Sequence, residues 1–466
     1  MKYITPYHST SWIFFLLIFS GIYFSCQPED EVIDFERING LSFSADTVLF
    51  DTLFATQGST TRRLYVYNTG RNALKISSIR LAGGGSSFFN LYINGQESKA
   101  VNDEVLLGKD SLLILVQVNI DPSGQDLPFI VKDSIVFETN GQMQDVKLNA
   151  WGQDAIFLGN EILPCETVFT KQRPYVIYRP ILIDSLCELI IEAGARIYFD
   201  RGATMFVQGS LYVFGTNDER VVFNSARPEA RFANIPGQWG GIYFLEGSKD
   251  NWIEYTTIRN ADIGLRLGTP DADTIPDVIV RNTIIENMST AGILSYTSDL
   301  LLENCLLSHC GSITLGNFGG GNYLYNHCTF AYPYPGVVRQ SPMSAFSDNI
   351  VLDNDETIIS ELNVYMTNCI INGGRPNEVG FDLSGNTSGT LLFANNLLKT
   401  NLEGFDLNDN LLNLNPAFVD PDEYNFRLEI ISPAINAGIP TGLLFDIEDE
   451  SRSDTTPDIG AYEFIE

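Results

Sequence analysis

Between about residue 250 and residue 400 the chain repeats one line, a short run of apolar and β-branched residues that ends in a small polar pair. It reads IEYTTI from Ile253, IVRNTI from Ile279, LLENCL from Leu301, YLYNHCTF from Tyr323, VYMTNCI from Val364 and LFANNLL from Leu392. With Thr257, Thr283, Cys305, Cys328, Cys369 and Asn396 as equivalent positions, the steps are 26, 22, 23, 41 and 27 residues. A unit of this length cannot bury its apolar side alone, whereas stacked copies share a core, so the period predicts a solenoid of short strands. Asn282, Asn304, Asn368 and Asn395 fall at one register, with Thr256 and His327 in the equivalent places. An amide accepts from one coil and donates to the next, so a structural ladder is expected there. Cys305, Cys328 and Cys369 form the neighbouring column and read as small core residues. The 41-residue step exceeds one coil, and SAFSDNIVL from Ser344 is expected to supply an extra one. AYPYPGVVRQSP from Ala331 is then an excursion, because three prolines do not fit paired parallel strands.

The pattern before residue 155 is different. From Phe35 to Asp154, alternating runs such as RRLYVYNTG, SLLILVQVNI and DVKLNAWGQ are separated by Gly-Gly, Asn-Gly and Pro breaks, which predicts an antiparallel β-sandwich. Asn140-Gly141 is a hairpin turn signal, since both residues tolerate positive φ. From Ala155 the runs LIIEAGARIYF, TMFVQGSLYVFGT and RVVFNSARPE take up a strand, glycine turn, strand rhythm. The expected organisation is a sandwich over 35–154, a solenoid over 155–410 and a capping segment over 411–466.

Two lines, I-x-x-G-x-x-I-x-F from Ile191 and W-x-G-I-x-F from Trp239, resemble the right-handed parallel β-helices of the pectin lyase-like type. The resemblance implies coils of two or three short strands, with parallel pairing from coil to coil. STTRRLYVYNTG and DSIVFETNGQMQDVKLNAWGQDA resemble the immunoglobulin-like modules that precede surface domains in Bacteroidetes lipoproteins. The end of the chain, NPAFVDPDEYNFRL, SPAINAG and PDIGAYEF, resembles the C-terminal segment of a family of bacterial surface β-helix proteins. That family carries Asp-x-x-Gly-x-x-Arg between the two signatures; here the positions are Asp446, Asp449 and Arg452, with aspartate in place of the glycine. A solenoid needs its open end covered, and this segment is expected to be that cover, held together by Asp446, Arg452 and Asp458.

Trp12 to Phe24 is an apolar run too short to span a bilayer, placed behind Lys2 like a secretory signal over residues 1–25. Ser25-Cys26 at its end resembles the lipobox of bacterial lipoproteins, which implies lipidation of Cys26 and an outer-membrane anchor. The stretch 26–34 contains Glu29, Asp30 and Glu31 and resembles the surface-export signal of Bacteroidetes lipoproteins, which implies exposure at the cell surface. With 28 Lys and Arg against 58 Asp and Glu, the formal charge is −30. Such a field repels polyanions, so nucleic acid is excluded as a partner, and acidic polysaccharides are disfavoured unless Ca²⁺ inverts the local charge.

Candidate chemistry is sparse. Asp271, Asp273 and Asp277 in GTPDADTIPD are turn formers by default and calcium ligands in the alternative. Arg259, Arg266 and Arg281 lie on successive coils and are candidates for one binding face, or for the basic residue of a lyase. Tyr332, Tyr334 and Arg339 in the proline-rich excursion are candidates for stacking on sugar rings. Cys165 and Cys187 are 22 residues apart, one coil, and suit a disulfide clasp or stacked thiols. His309 and His327 lack the spacing of a zinc site. The reading is an all-β surface lipoprotein whose right-handed parallel β-helix, behind an immunoglobulin-like sandwich, binds glycan or a surface protein without catalysis. A polysaccharide lyase or glycoside hydrolase of the same fold, and a purely structural surface protein, are the alternatives.

Overall fold

The computed structural model of the protein describes residues 32–37, 40–54, 61–120, 129–227, 230–268, 275–331, 339–352, 355–453 and 455–465. The described residues up to Gly152 make one compact unit and those from Gln153 a second.

The first unit is a β-sandwich of two antiparallel sheets. One sheet runs in the order Leu41–Phe43, Arg62–Asn68, Ser111–Val118, Phe89–Ile93, Gln96–Ser98, and the other in the order Thr47–Phe54, Gln142–Gln153, Phe129–Thr139, Leu74–Leu81, Ala100–Leu106. Alternate side chains such as Leu64, Val66, Ile114, Val116, Phe137 and Leu148 fill the space between the sheets. Asn140 and Gly141 stand at φ 51° and 73°, and Thr139 pairs with Gln142. The loop is thus the two-residue hairpin whose left-handed backbone matches strand twist.

The second unit is a right-handed parallel β-helix with three strands to a full coil. Its first sheet runs from Ile156–Leu158 to Leu411–Leu412, eleven strands among the described residues, all parallel. The second sheet runs from Thr167–Phe169 to Leu391–Ala394 and the third from Glu161–Ile162 to Val379–Asp382. Two long strands, Ala291–Glu303 and Ile313–Asn326, continue round the corner and fuse these two. Like stacks on like inside. In the first sheet Ile197, Phe223, Ile258, Ile285, Leu307, Phe330, Ile371 and Leu398 succeed one another in register, all fully buried.

Three expectations change here. The 41-residue step is one coil, not two, because Thr329–Ala331 pairs directly with Ile370–Asn372 and Gly321–Asn326 with Leu362–Thr367. Ser344–Ser347 is the third-sheet strand of that same coil. Within the described residues, surplus length goes into an antiparallel hairpin, Asn349–Val351 with Thr357–Ile359. Second, Thr257 pairs with Ile284, so Thr256 and not Thr257 is equivalent to Thr283, and Tyr255 rather than Thr256 holds the corner place of the asparagines.

Third, the C-terminal segment does not plug the open end. It lies along the flank, over the outer side of the first sheet. Phe426, Ile447, Ala461 and Tyr462 cover Leu306 and Ala331, and Leu428, Ala434 and Ile459 cover Ile370 and Leu397. Gly460, at φ 105°, comes so close that a Cβ would stand 2.7 Å from Ile370 Cδ1. The end of the solenoid is filled instead by Phe405, whose ring sits 5.1 Å from that of Phe393 and 5.9 Å from that of Phe381.

Candidate functional site

The strap along the flank is seated on the corner column of asparagines. Asn282, Asn304, His327, Asn368 and Asn395 all take φ between 48° and 55°, a left-handed corner that asparagine tolerates better than most residues. Asn304 Nδ2 donates to Asn282 Oδ1 at 3.1 Å and to the Phe445 carbonyl at 2.9 Å, and Arg452 donates to Asn304 Oδ1 at 3.0 Å. Asn368 donates to the Ile439 carbonyl at 2.7 Å and accepts from the Ile439 amide at 3.0 Å. The column therefore binds coil to coil and also binds the strap. Within the strap Arg452 pairs with Glu463 at 3.0 Å, and Asp446 accepts the amides of Glu448, Glu450 and Glu463. Asp449, in the glycine's place, stands at φ 63° and accepts a hydrogen bond from the Tyr255 hydroxyl.

The remaining candidates disperse. Arg259, Arg266 and Arg281 lie on the first, third and second sheets respectively and share no face. Nor do they lie on successive coils: Arg259 and Arg266 are on consecutive strands of one coil and Arg281 on the next, because residue spacing fixes neither the coil nor which of three faces each occupies. Arg259 pairs with Glu286 at 2.7 Å, and burial raises the Glu286 pKa against that pairing. Arg281 pairs with Glu303 at 2.6 Å, and Arg266 lies between the rings of Tyr243 and Tyr296. Arg339 is buried and grips Glu378 through both carboxylate oxygens, at 2.9 and 2.5 Å, so it offers nothing to a sugar. Tyr332 and Tyr334 lie outside the described residues, as do Asp271 and Asp273. Asp277 is buried and accepts the Asp299 amide at 2.9 Å, the role of a backbone cap rather than an exposed calcium ligand. Among the described residues no group of three His, Cys, Asp or Glu side chains is placed to hold a metal ion.

Cys165 and Cys187 are joined by a disulfide with Cα atoms 4.5 Å apart. Cys305, Cys310, Cys328 and Cys369 are buried thiols, and burial drives the Cys310 thiol up to about 12. His309 and His327 are buried too, which lowers their pKa values to about 4 and about 2. None of these groups faces a cleft where it would act on a ligand.

The outer face of the second sheet is different. Its outward middle positions form one column, Val168, Ile190, Tyr212, Trp252, Ile279, Leu301, Leu324, Tyr365 and Leu392, paired residue to residue. With strands about 4.8 Å apart, the stripe is roughly 40 Å long. Val168, Leu324, Tyr365 and Leu392 are 40 to 44% exposed, although they stand where a solvent-facing strand position is normally polar.

Polar columns flank the stripe. Two residues before the stripe positions stand Glu166, Glu188, Ser210, Asp250, Asp277, Asp299, Asn322, Asn363 and Thr390, and two after stand Thr170, Glu192, Phe214, Glu254, Arg281, Glu303, Asn326, Thr367 and Ala394, with Phe214 and Ala394 the apolar exceptions. The first column is itself a ladder. Asp299 Oδ1 accepts from the amide and side chain of Asn322, Asn322 Oδ1 accepts from Asn363, and Asn363 Oδ1 accepts the Thr390 amide, all at 2.8 to 2.9 Å. On the other side the Arg281 guanidinium lies 4.7 Å from the Trp252 ring centroid, and Trp252 Nε1 donates to Glu254 at 3.1 Å. Near the far end a shallow cleft of about 320 Å³ is lined by Asp299, Asn322, Leu324 and Tyr365. The result is an apolar column between largely polar walls, covered over at Leu301, which is 9% exposed. The signal for it was present in the sequence, as apolar residues at both parities of these strands and a polar residue two places before each.

A family described as "Right handed beta helix region" matches residues 269–411. No curated protein matches the chain significantly. Among solved structures, a protein of unknown function from Porphyromonas gingivalis W83 is similar at 14% identity, with 28% of this chain and 61% of that one covered and a TM-score of 0.20. The PapD-like domain 7 of human CEP192 is similar at 9% identity, with 28% and 96% covered and a TM-score of 0.17. A family 123 glycoside hydrolase from Clostridium perfringens is similar at 7% identity, with 27% and 30% covered and a TM-score of 0.18. Likenesses of this degree carry no functional argument.

Proposed function

We propose that the protein is a surface-exposed lipoprotein, anchored through Cys26, whose β-helix binds an extended glycan along the outer face of the second sheet. The carrying observation is the in-register apolar column from Val168 to Leu392, exposed at Val168, Leu324, Tyr365 and Leu392 and buried at Leu301, with largely polar columns on either side. Pyranose rings present apolar faces and hydroxyl edges. The stripe suits the faces, with Trp252, Tyr212 and Tyr365 as rigid anchors, and the walls suit the hydroxyls. A long polymer matches a binding surface that repeats with every coil. The test is retention of the soluble chain from Gln27 on a panel of plant, algal and bacterial polysaccharides, with product release read in parallel. Retention without products supports the reading, and cleavage makes the protein a carbohydrate-active enzyme instead.

A further inference from the structure

The walls of the stripe are not uniform along its length, and the change has a direction. Beside Ile190 and Trp252 the flanking positions are Glu188, Glu192, Asp250 and Glu254, with the uncharged Ser210 and Phe214 on the coil between. Glu188, Glu192 and Asp250 are exposed and form no ion pair among the described residues, whereas Glu254 stands in register beside Arg281. In the next coils the charge is compensated or internalised, because Arg281 neutralises Glu303 while Asp277 and Asp299 are buried backbone caps. Beside Leu324 and Tyr365 the walls are uncharged, made of Asn322, Asn363, Asn326 and Thr367.

We infer that the ligand of this face is a polymer of amino sugars, with free, cationic amines held at the carboxylate end and neutral or N-acetylated units along the amide end. The inference rests on the glycan-binding reading above and names the class of glycan. Glu188, Glu192 and Asp250, exposed beside the apolar column, repel uronates and sulfated sugars. They attract ammonium groups. Amide walls, by contrast, satisfy hydroxyl and acetamido groups without regard to charge.

Isothermal titration of the soluble chain at pH 5.5 and low salt, with a glucosamine hexamer and with its fully N-acetylated counterpart, tests this. The cationic hexamer is expected to bind about tenfold tighter, with the advantage shrinking as salt rises. Glu188→Gln, Glu192→Gln and Asp250→Asn combined replace exposed side chains, and are expected to bring the ratio of the two affinities towards one. Equal binding of the two hexamers by the wild type, or a ratio untouched by the triple variant, overturns the inference. If the N-acetylated hexamer binds without any preference for the cationic one, the glycan-binding reading stands while this one fails. If neither binds and neutral polysaccharides are also not retained, both fail.

Discussion

Asn368 Nδ2 donates to His327 Nε2 across 2.8 Å, one coil to the next, which holds that imidazole as the neutral ring. Burial keeps its pKa down at about 2, and burial beneath Tyr424 keeps that of His309 at about 4. In an unfolded chain both titrate near 6.5. The contribution of these two histidines to stability is therefore complete above about pH 6.5. As the pH falls, the unfolded chain takes up protons that the folded one refuses, and stability drops by about 1.4 kcal/mol per pH unit for each histidine. For His309 the loss ends near pH 4. Urea unfolding between pH 7 and 5 measures it, and His327→Asn, which restores the residue found in the neighbouring coils, removes one histidine's share of the slope. A slope that His327→Asn leaves unchanged contradicts the assignment.

The strap hangs on a buried cation. Arg452 meets Glu463, Asn304 Oδ1 and the carbonyls of Gly460 and Ala461, and is almost wholly buried. Arg452→Met leaves Glu463 facing that site without its counter-ion, at an expected cost of about 3–5 kcal/mol. Hydrogen exchange at the Ile447 and Gly460 amides, which bond within the strap and to Asn368 respectively, is expected to rise before the solenoid core opens. Unchanged protection at both amides contradicts the strap's dependence on this residue.

Phe405 closes the last coil, so Phe405→Ala exposes Phe381 and Phe393. A loss of about 2–3 kcal/mol in denaturant unfolding is expected, below the range for fully buried phenylalanines because the ring is only partly covered. Leu407→Ala, at a side chain 62% exposed, is expected to cost less than about 0.5 kcal/mol. Equal effects at the two positions would show that Phe405 is not the plug.

Cys165 and Cys187 close a loop of 22 residues at the first coils. Replacing both by serine is expected to lower stability by about 3 kcal/mol. Unfolding with and without reductant checks it, since the double variant then becomes insensitive to reductant. A wild type that reductant leaves unchanged contradicts the clasp.

The period, the two halves of the fold and the asparagine column were legible in the sequence because they depend on local pattern. A left-handed corner selects Asn wherever it recurs, and a core column selects Ile, Leu or Phe whatever lies elsewhere. The face that each strand presents was not legible in the same way. Arg259, Arg266 and Arg281 read as neighbours until the strand register divides them among three sheets. The 41-residue step read as two coils because a lateral hairpin and a missing coil have the same length. Arg339 read as a sugar ligand because its partner, Glu378, lies 39 residues away and no local signal joins them. The strap was recognised as a cover but assigned to the wrong surface. Its apolar residues fit the outer side of the first sheet, where Leu306, Ile370 and Leu397 stand at positions that short-range alternation leaves to solvent.

The most direct test of the glycan-binding account is affinity electrophoresis of the soluble chain through gels carrying polysaccharide, comparing wild type, Trp252→Ala, Tyr365→Ala and Tyr243→Ala. The account predicts that the wild type and Tyr243→Ala, whose substitution is on the third sheet, are retarded by the same polymer, while Trp252→Ala and Tyr365→Ala migrate freely. Retardation of all four alike would show that the second-sheet stripe is not the binding surface.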